Sequence, residues 1–314
     1  MSSPVILSIV SPVYGAAGLL DELVDRVVRA AGEVTADFEF ILVDDGSPDG
    51  AWTHIVAAGR RDSRVKGIRL TRNFGQHRAI AAGIAHARGD FVIVMDCDLQ
   101  DDPRYIPALV AKAREGHDVV LTRKRERRHS WLRNLGARAF FRVFNLLADR
   151  GAGDPRLGGY SLLTRHAADA YRRIADVNRH HLLLLSWIGI PPAVVEVEHL
   201  ARPRGRSAYT TIKLLRHALE GITSQSTKLL KAAVAIGFAY FFAAIIGVVY
   251  LVAGYFIHGF RAGWASTFVL LLGSTGLILM AIGVLGIYVG SVFDQVRARP
   301  LYLVHETSNL PPPA

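Results

Sequence analysis

The 314-residue sequence predicts an α/β protein: a doubly wound sheet followed by amphipathic interfacial helices and a two-helix transmembrane hairpin. Three observations carry this. Short β-rich runs alternate with helical stretches over roughly the first 120 residues. Polar motifs follow four of the predicted strands, where ligands bind in such sheets. Two long runs near the C-terminus, 232–257 and 264–293, carry no charge.

In order, Ile6 to Val10 reads as a strand and Ala17 to Gly32 as a helix, with Leu19, Leu20, Leu23, Val24, Val27 and Val28 on its apolar face. Phe38 to Val43 is a buried strand, Trp52 to Ala58 a helix, Lys66 to Leu70 a strand and Gln76 to Ala87 a helix. The strand from Phe91 to Met95, the helix from Tyr105 to Glu115 and the strand from Asp118 to Thr122 complete the alternation. Residues 1–200 are expected to form this cytosolic domain and 201–231 a juxtamembrane amphipathic segment. The hairpin occupies 232–296, and 297–314 is a cytosolic tail whose end, Leu310 to Ala314, is expected to be disordered.

Each uncharged run exceeds the roughly 20 residues that cross a hydrocarbon core. Lys213, Arg216, Lys228 and Lys231 precede the first span and Arg297 and Arg299 follow the second, against Arg261 alone between them. That asymmetry is expected to put the N-terminal domain and both termini in the cytoplasm, with the protein multi-pass in the cytoplasmic (inner) membrane. No secretory signal is expected, because the apolar stretch from Val5 to Val10 is too short. The formal net charge of +10 suits an anionic leaflet, and no nucleic-acid motif accompanies it. The basic stretch from Arg123, with Trp131, Phe140, Phe141 and Phe144, reads either as a solvated face or as a headgroup-layer patch. A single cysteine excludes an intramolecular disulfide.

The chemistry sits at the strand ends. Neither a Gly-x-Gly-x-x-Gly turn nor a Walker A loop is present, so a nucleotide would be held by other means. In Met95-Asp96-Cys97-Asp98-Leu99-Gln100-Asp101-Asp102-Pro103, strand alternation would place Asp96 and Asp98 on one side and Cys97 on the other, with Gln100 continuing the pattern. Two like-facing carboxylates require a cation or a shared proton, and a hard divalent ion is one solution. An acid/base pair or an ordinary turn is also compatible with these residues alone. Asp101 and Asp102 read as the start of the following helix. Asp44-Asp45, before Gly46-Ser47-Pro48-Asp49-Gly50, reads as a capping turn or as an acceptor for nucleoside hydrogens.

Together Ser11-Pro12-Val13-Tyr14, Val43 to Gly50, Arg72-Asn73-Phe74-Gly75-Gln76-His77, Met95 to Pro103 and Arg297-Ala298-Arg299-Pro300 resemble glycosyltransferase family 2, and within it the polyprenyl-phosphate glycosyltransferases. The resemblance spans nearly the whole chain. It implies a Rossmann-like, nucleotide-sugar-binding domain of the GT-A type. Asp96, Asp98 and Gln100 would hold Mg²⁺ or Mn²⁺ against the donor diphosphate, with Asp96 and Asp98 counted as catalytic. Pro12, Tyr14, Arg72, Gln76 and one of Asp44 and Asp45 would line the donor site. Arg123 and Arg133 would meet the lipid phosphate, while Arg202, ahead of the Gly205-Arg206-Ser207 motif, and Arg206 within it would bind the donor. It further implies metal-dependent, inverting transfer from a UDP-sugar to a polyprenyl phosphate resembling undecaprenyl phosphate, by a homo-oligomer.

Three departures stand out. Gly15 and Ala16 replace the polar pair usual in the first loop, Gly158-Gly159-Tyr160-Ser161 lacks a carboxylate found in many relatives, and Ala208 replaces a lysine. A processive polysaccharide synthase would carry Gln-x-x-Arg-Trp and more spans, both missing from the sequence. A non-catalytic membrane scaffold with the same fold is the alternative from another class.

Overall fold

A computed structural model describes residues 6–124, 157–177, 179–198, 228–258 and 263–310. The described chain contains two compact units. The first holds an eight-stranded sheet of order β7-β5-β6-β4-β1-β2-β3-β8.

Strands β1 (Leu7–Val13), β2 (Phe38–Asp44), β3 (Val65–Leu70) and β4 (Phe91–Val94) form its parallel centre. Every residue of β1 and β2 is buried, as expected of strands covered on both faces. Alternate side chains enter two cores. Ile9, Phe40 and Leu42 pack on α1 (Leu20–Gly32), α2 (Ala51–Arg61) and α4 (Ile106–Arg114). Val10, Ile41 and Val43 pack on α3 (Gln76–His86), α5 (Arg165–Arg173) and α6 (His181–Ile188).

Helix α3 lies close against β1, because a Cβ at Gly83 would stand 2.2 Å from Val10 Cγ1. We expect Gly83→Ala to destabilise the sheet unit by about 1–3 kcal/mol through overpacking, as a lowered unfolding midpoint would show.

Several elements differ from expectation. β1 runs three residues beyond Val10, so Ser11 and Pro12 lie inside the strand rather than after it. Proline is tolerated there because pairing with β4 has stopped at Val10. Residues Ala17–Leu19 form a separate 3₁₀ turn before α1. β6 (Leu157–Thr164) inserts antiparallel between β4 and β5 (Val119–Lys124), making the sheet mixed, and β7 (Ala193–Val197) pairs parallel with β5.

The expected cytosolic tail is not wholly a tail. Its residues Val304–Ser308 form β8, antiparallel to β3. Asn309 fixes this edge by donating from Nδ2 to the carbonyls of Gly59 (2.7 Å) and Val65 (2.9 Å). Residues 311–314 lie outside the described residues.

The second unit contains α7 (Lys228–His258) and α8 (Trp264–Val296), which pack on one another. Both are long and apolar enough to cross a membrane, and their most apolar windows, Leu230–Gly247 and Gly273–Val296, bury none of their residues within the protein. α7 begins four residues before the predicted span and takes in Lys228 and Lys231. Most of both amphipathic segments, including Trp131, Phe140, Phe141 and Phe144, lies outside the described residues, as do 259–262 of the connecting loop.

Candidate active site

The loops after β1, β2, β3 and β4 meet at the carboxyl edge of the sheet. Gly46 (φ +69°) has no room for a side chain, since a Cβ there would lie 2.7 Å from the Arg72 carbonyl carbon. The loop after β2 therefore rests on the backbone of the loop after β3. Asp45 completes that junction: its Oδ1 accepts from Phe74 N–H (2.7 Å) and its Oδ2 from Gly75 N–H (2.8 Å). Burial raises its pKa, against the pull of those two donors.

Asp44 differs. Its Oδ1 accepts from Ser47 N–H (3.0 Å), while its buried Oδ2 makes no hydrogen bond and faces Arg69 Nε at 3.6 Å. The loop after β1 joins the same cluster. Gly15 N–H donates to Ser47 Oγ (3.3 Å) and Ala17 N–H to Asp49 Oδ2 (2.8 Å), while Tyr14 is 54% exposed at the rim. Pro12 is buried in β1. Arg72 stacks on Phe74, 4.2 Å from the ring centre.

The acidic loop does not continue β4. The strand ends at Val94, and Leu99 adopts a left-handed conformation (φ 61°) while remaining buried. The expected alternation of Asp96, Asp98 and Gln100 is thus replaced by a turn held by side chains. Asp98 Oδ1 accepts from Gln100 N–H (3.1 Å), Asp101 Oδ2 from Asp96 N–H (3.1 Å), and Asp96 Oδ1 from Gln76 Nε2 (2.6 Å).

Burial, then the charges of Asp101 and Asp98, push the Asp96 carboxyl up to about 7, while Lys124 and Gln76 pull the other way. Burial also raises Asp101. The pair expected at the helix start divides: Asp102 caps the following turn by accepting from Arg104 N–H (3.0 Å), whereas Asp101 belongs to the acidic cluster. Burial lifts the Cys97 thiol to about 12, and it packs beside the core.

Among the described residues no group of three or more His, Cys, Asp or Glu side chains forms a ready metal cage. The crowded Asp96 and Asp98 do fit Mg²⁺-type coordination, in which one or two carboxylates are joined by water and substrate phosphates. Gln100 donates its backbone N–H to Asp98.

The sequence profile described as "Glycosyl transferase family 2" matches residues 8–172. An undecaprenyl-phosphate 4-deoxy-4-formamido-L-arabinose transferase of Proteus mirabilis is 34% identical, covering 98% of this chain and 95% of its own. The chain belongs to glycosyltransferase family 2. The Shewanella sediminis transferase of the same description is 35% identical over 96% of this chain and 92% of its own. A mycobacterial protein of known crystal structure shares the fold, with TM-score 0.50 and 21% identity over 69% of this chain and 72% of its own.

In this family 2 glycosyltransferase the structure brings Pro12 and Asp44 at strand ends, Tyr14, Asp45, Arg72, Asp96, Asp98 and Gln100 in the loops that follow, and Gln76 at the start of α3 to the carboxyl edge of the sheet. Arg123 is half-buried in β5, in register with Glu196 of β7. Arg133, Arg202 and Arg206 lie outside the described residues. Sequence reasoning missed three side chains. Asp101 was hidden by its place before a helix. Lys124 ends β5 within electrostatic reach of Asp96 and Asp101. Its signal was the period of two from buried Thr122, obscured by the basic run that follows. The third is Arg69 beside Asp44.

Proposed function

We propose that this family 2 glycosyltransferase is membrane-bound and moves a sugar from a nucleotide-sugar, a UDP-sugar, to a polyprenyl phosphate resembling undecaprenyl phosphate, with inversion. The observation that carries the reading is full-length similarity to undecaprenyl-phosphate sugar transferases. The two long apolar helices and the acidic loop support it, with the sheet unit and both termini on the cytoplasmic side.

Asp44 receives the nucleoside, because both oxygens of Asp45 are already engaged by backbone donors. Asp96, Asp98 and Gln100 would hold Mg²⁺ or Mn²⁺, which when bound would neutralise charge on the departing nucleoside diphosphate. Gln76 fixes Asp96, and Lys124 offsets the crowded negative charge. Arg123 and Arg133 hold the lipid phosphate opposite the leaving group, their planar forks matching its oxygens. A phosphate oxygen attacks the anomeric carbon, the bond from that carbon to the diphosphate breaks, and the bonding pair leaves with the nucleoside diphosphate. The acceptor is anionic at neutral pH, so Gly159 is tolerable where many relatives are expected to carry a carboxylate.

The purified chain, incubated with Mn²⁺, polyprenyl phosphate and a panel of radiolabelled nucleotide sugars, should yield a lipid-linked sugar of inverted anomeric configuration from one uridine donor. Folded protein giving no lipid-linked product with any donor overturns the proposal.

A further inference from the structure

Three charged side chains form a row across three neighbouring strands. Asp44 of β2 is in register with Arg69 of β3, and Arg69 with Glu306 of β8. Arg69 donates from one terminal nitrogen to Glu306 Oε1 (3.2 Å), and its Nε stands 3.6 Å from Asp44 Oδ2. The second distance exceeds a hydrogen bond. Asp44 is fully buried and its Oδ2 has no hydrogen-bond partner, whereas Arg69 and Glu306 are partly exposed.

Such an arrangement is unexpected for a simple ion pair. A guanidinium beside a buried carboxylate gains most by forming a bidentate pair with it. Glu306 competes for the same fork from the other side and keeps Arg69 from closing on Asp44. Oδ2 thereby stays available as an acceptor while a positive charge remains close enough to balance the buried carboxylate.

The geometry points to Glu306 as a positioning residue for the donor site, holding Arg69 so that Asp44 Oδ2 is free to accept an N–H or O–H from the nucleoside. The inference rests on the proposed role of Asp44 and names the device that sustains it. Glu306 comes from the C-terminal strand, the only β-segment in the described chain that follows the long apolar helices. Donor recognition therefore depends on a residue 237 positions after Arg69 in the chain.

The test uses the full chain in detergent and reads UDP affinity by calorimetry alongside steady-state kinetics. Glu306→Gln should weaken UDP binding and raise the donor KM by about fivefold or more, with kcat and the acceptor KM within about twofold, in keeping with the loss of the charge that makes its hydrogen bond to Arg69 a charge-paired one. Glu306→Asp should restore part of the loss. In the Glu306→Gln background, Arg69→Gln should cause no further loss, because the offending fork is gone. Asn309→Ala controls for loosening of β8: it removes the bonds to Gly59 and Val65 and should lower the unfolding midpoint while leaving the donor KM unchanged. UDP binding unaltered by Glu306→Gln overturns the inference alone, as does an equal rise in donor KM with Asn309→Ala. A wild-type chain that binds no UDP and turns over no donor overturns the inference together with the function it rests on.

Discussion

Asp98→Asn is expected to lower turnover by about 10²–10³-fold while leaving the fold intact, the scale of losing one charge-stabilising group at a reacting centre. The substitution isolates charge from structure. Asp98 Oδ1 holds the acidic turn by accepting from Gln100 N–H at 3.1 Å, and asparagine presents an acceptor at the same place. The turn around Leu99, with its left-handed backbone, should survive. What disappears is one of the charges crowding Asp96, and with it part of the attraction for the divalent cation that the proposed function places there to meet the diphosphate.

Turnover at saturating acceptor, measured across a Mn²⁺ titration beside the unfolding midpoint, separates the two effects. A variant with turnover within threefold of the parent would remove Asp98 from the proposed metal site. Asp102→Asn is the matched comparison. Asp102 caps the next turn through Arg104 N–H, so its substitution should leave turnover near the parent value.

The sheet was legible where burial on both faces writes a continuous apolar run, as in β2, and where a helix repeats its apolar positions, as in α1. β8 was not, because Val-His-Glu-Thr-Ser is short, polar and charged, the composition of a protected edge strand rather than of a buried one. β6 was not legible because Gly158-Gly159 weakens the strand pattern, and its antiparallel insertion is set by tertiary pairing.

At the site, residue types were readable and directions were not. Asp44 and Asp45 are equivalent as letters, yet one ends the strand with a buried oxygen that faces Arg69 without a hydrogen bond while the other clamps the neighbouring loop. Asp96 and Asp98 were readable as a cluster, but their alternation failed at Leu99, where a non-glycine residue takes a backbone that no sequence signal announced.

Acid should destabilise this protein through His181, and substitution of that residue should relieve part of the effect. His181 is fully buried, its Nε2 lies 2.9 Å from Ser161 Oγ, and its Nδ1 has no hydrogen-bond partner. Burial, then the charge on His180 when protonated, hold its pKa down at about 3, below the ordinary value of 6.5. The sign follows from the proton count. Below pH 6.5 the unfolded chain takes up a proton that the folded chain refuses, so stability falls with pH until about 3, by about 1.4 kcal/mol per pH unit well inside that window.

Between pH 7 and pH 5 the unfolding midpoint of the parent should fall by several degrees more than that of His181→Gln, a change of about 2 kcal/mol at this site. Equal losses in the two proteins would mean that His181 titrates normally in the fold. The consequence reaches the donor site through the backbone: His181 N–H donates to His77 Nδ1 at 3.3 Å, and His77 follows Gln76, whose amide holds Asp96 at 2.6 Å. Acid loosening of α6 should therefore weaken UDP binding in the same pH range in the parent, and less so in His181→Gln.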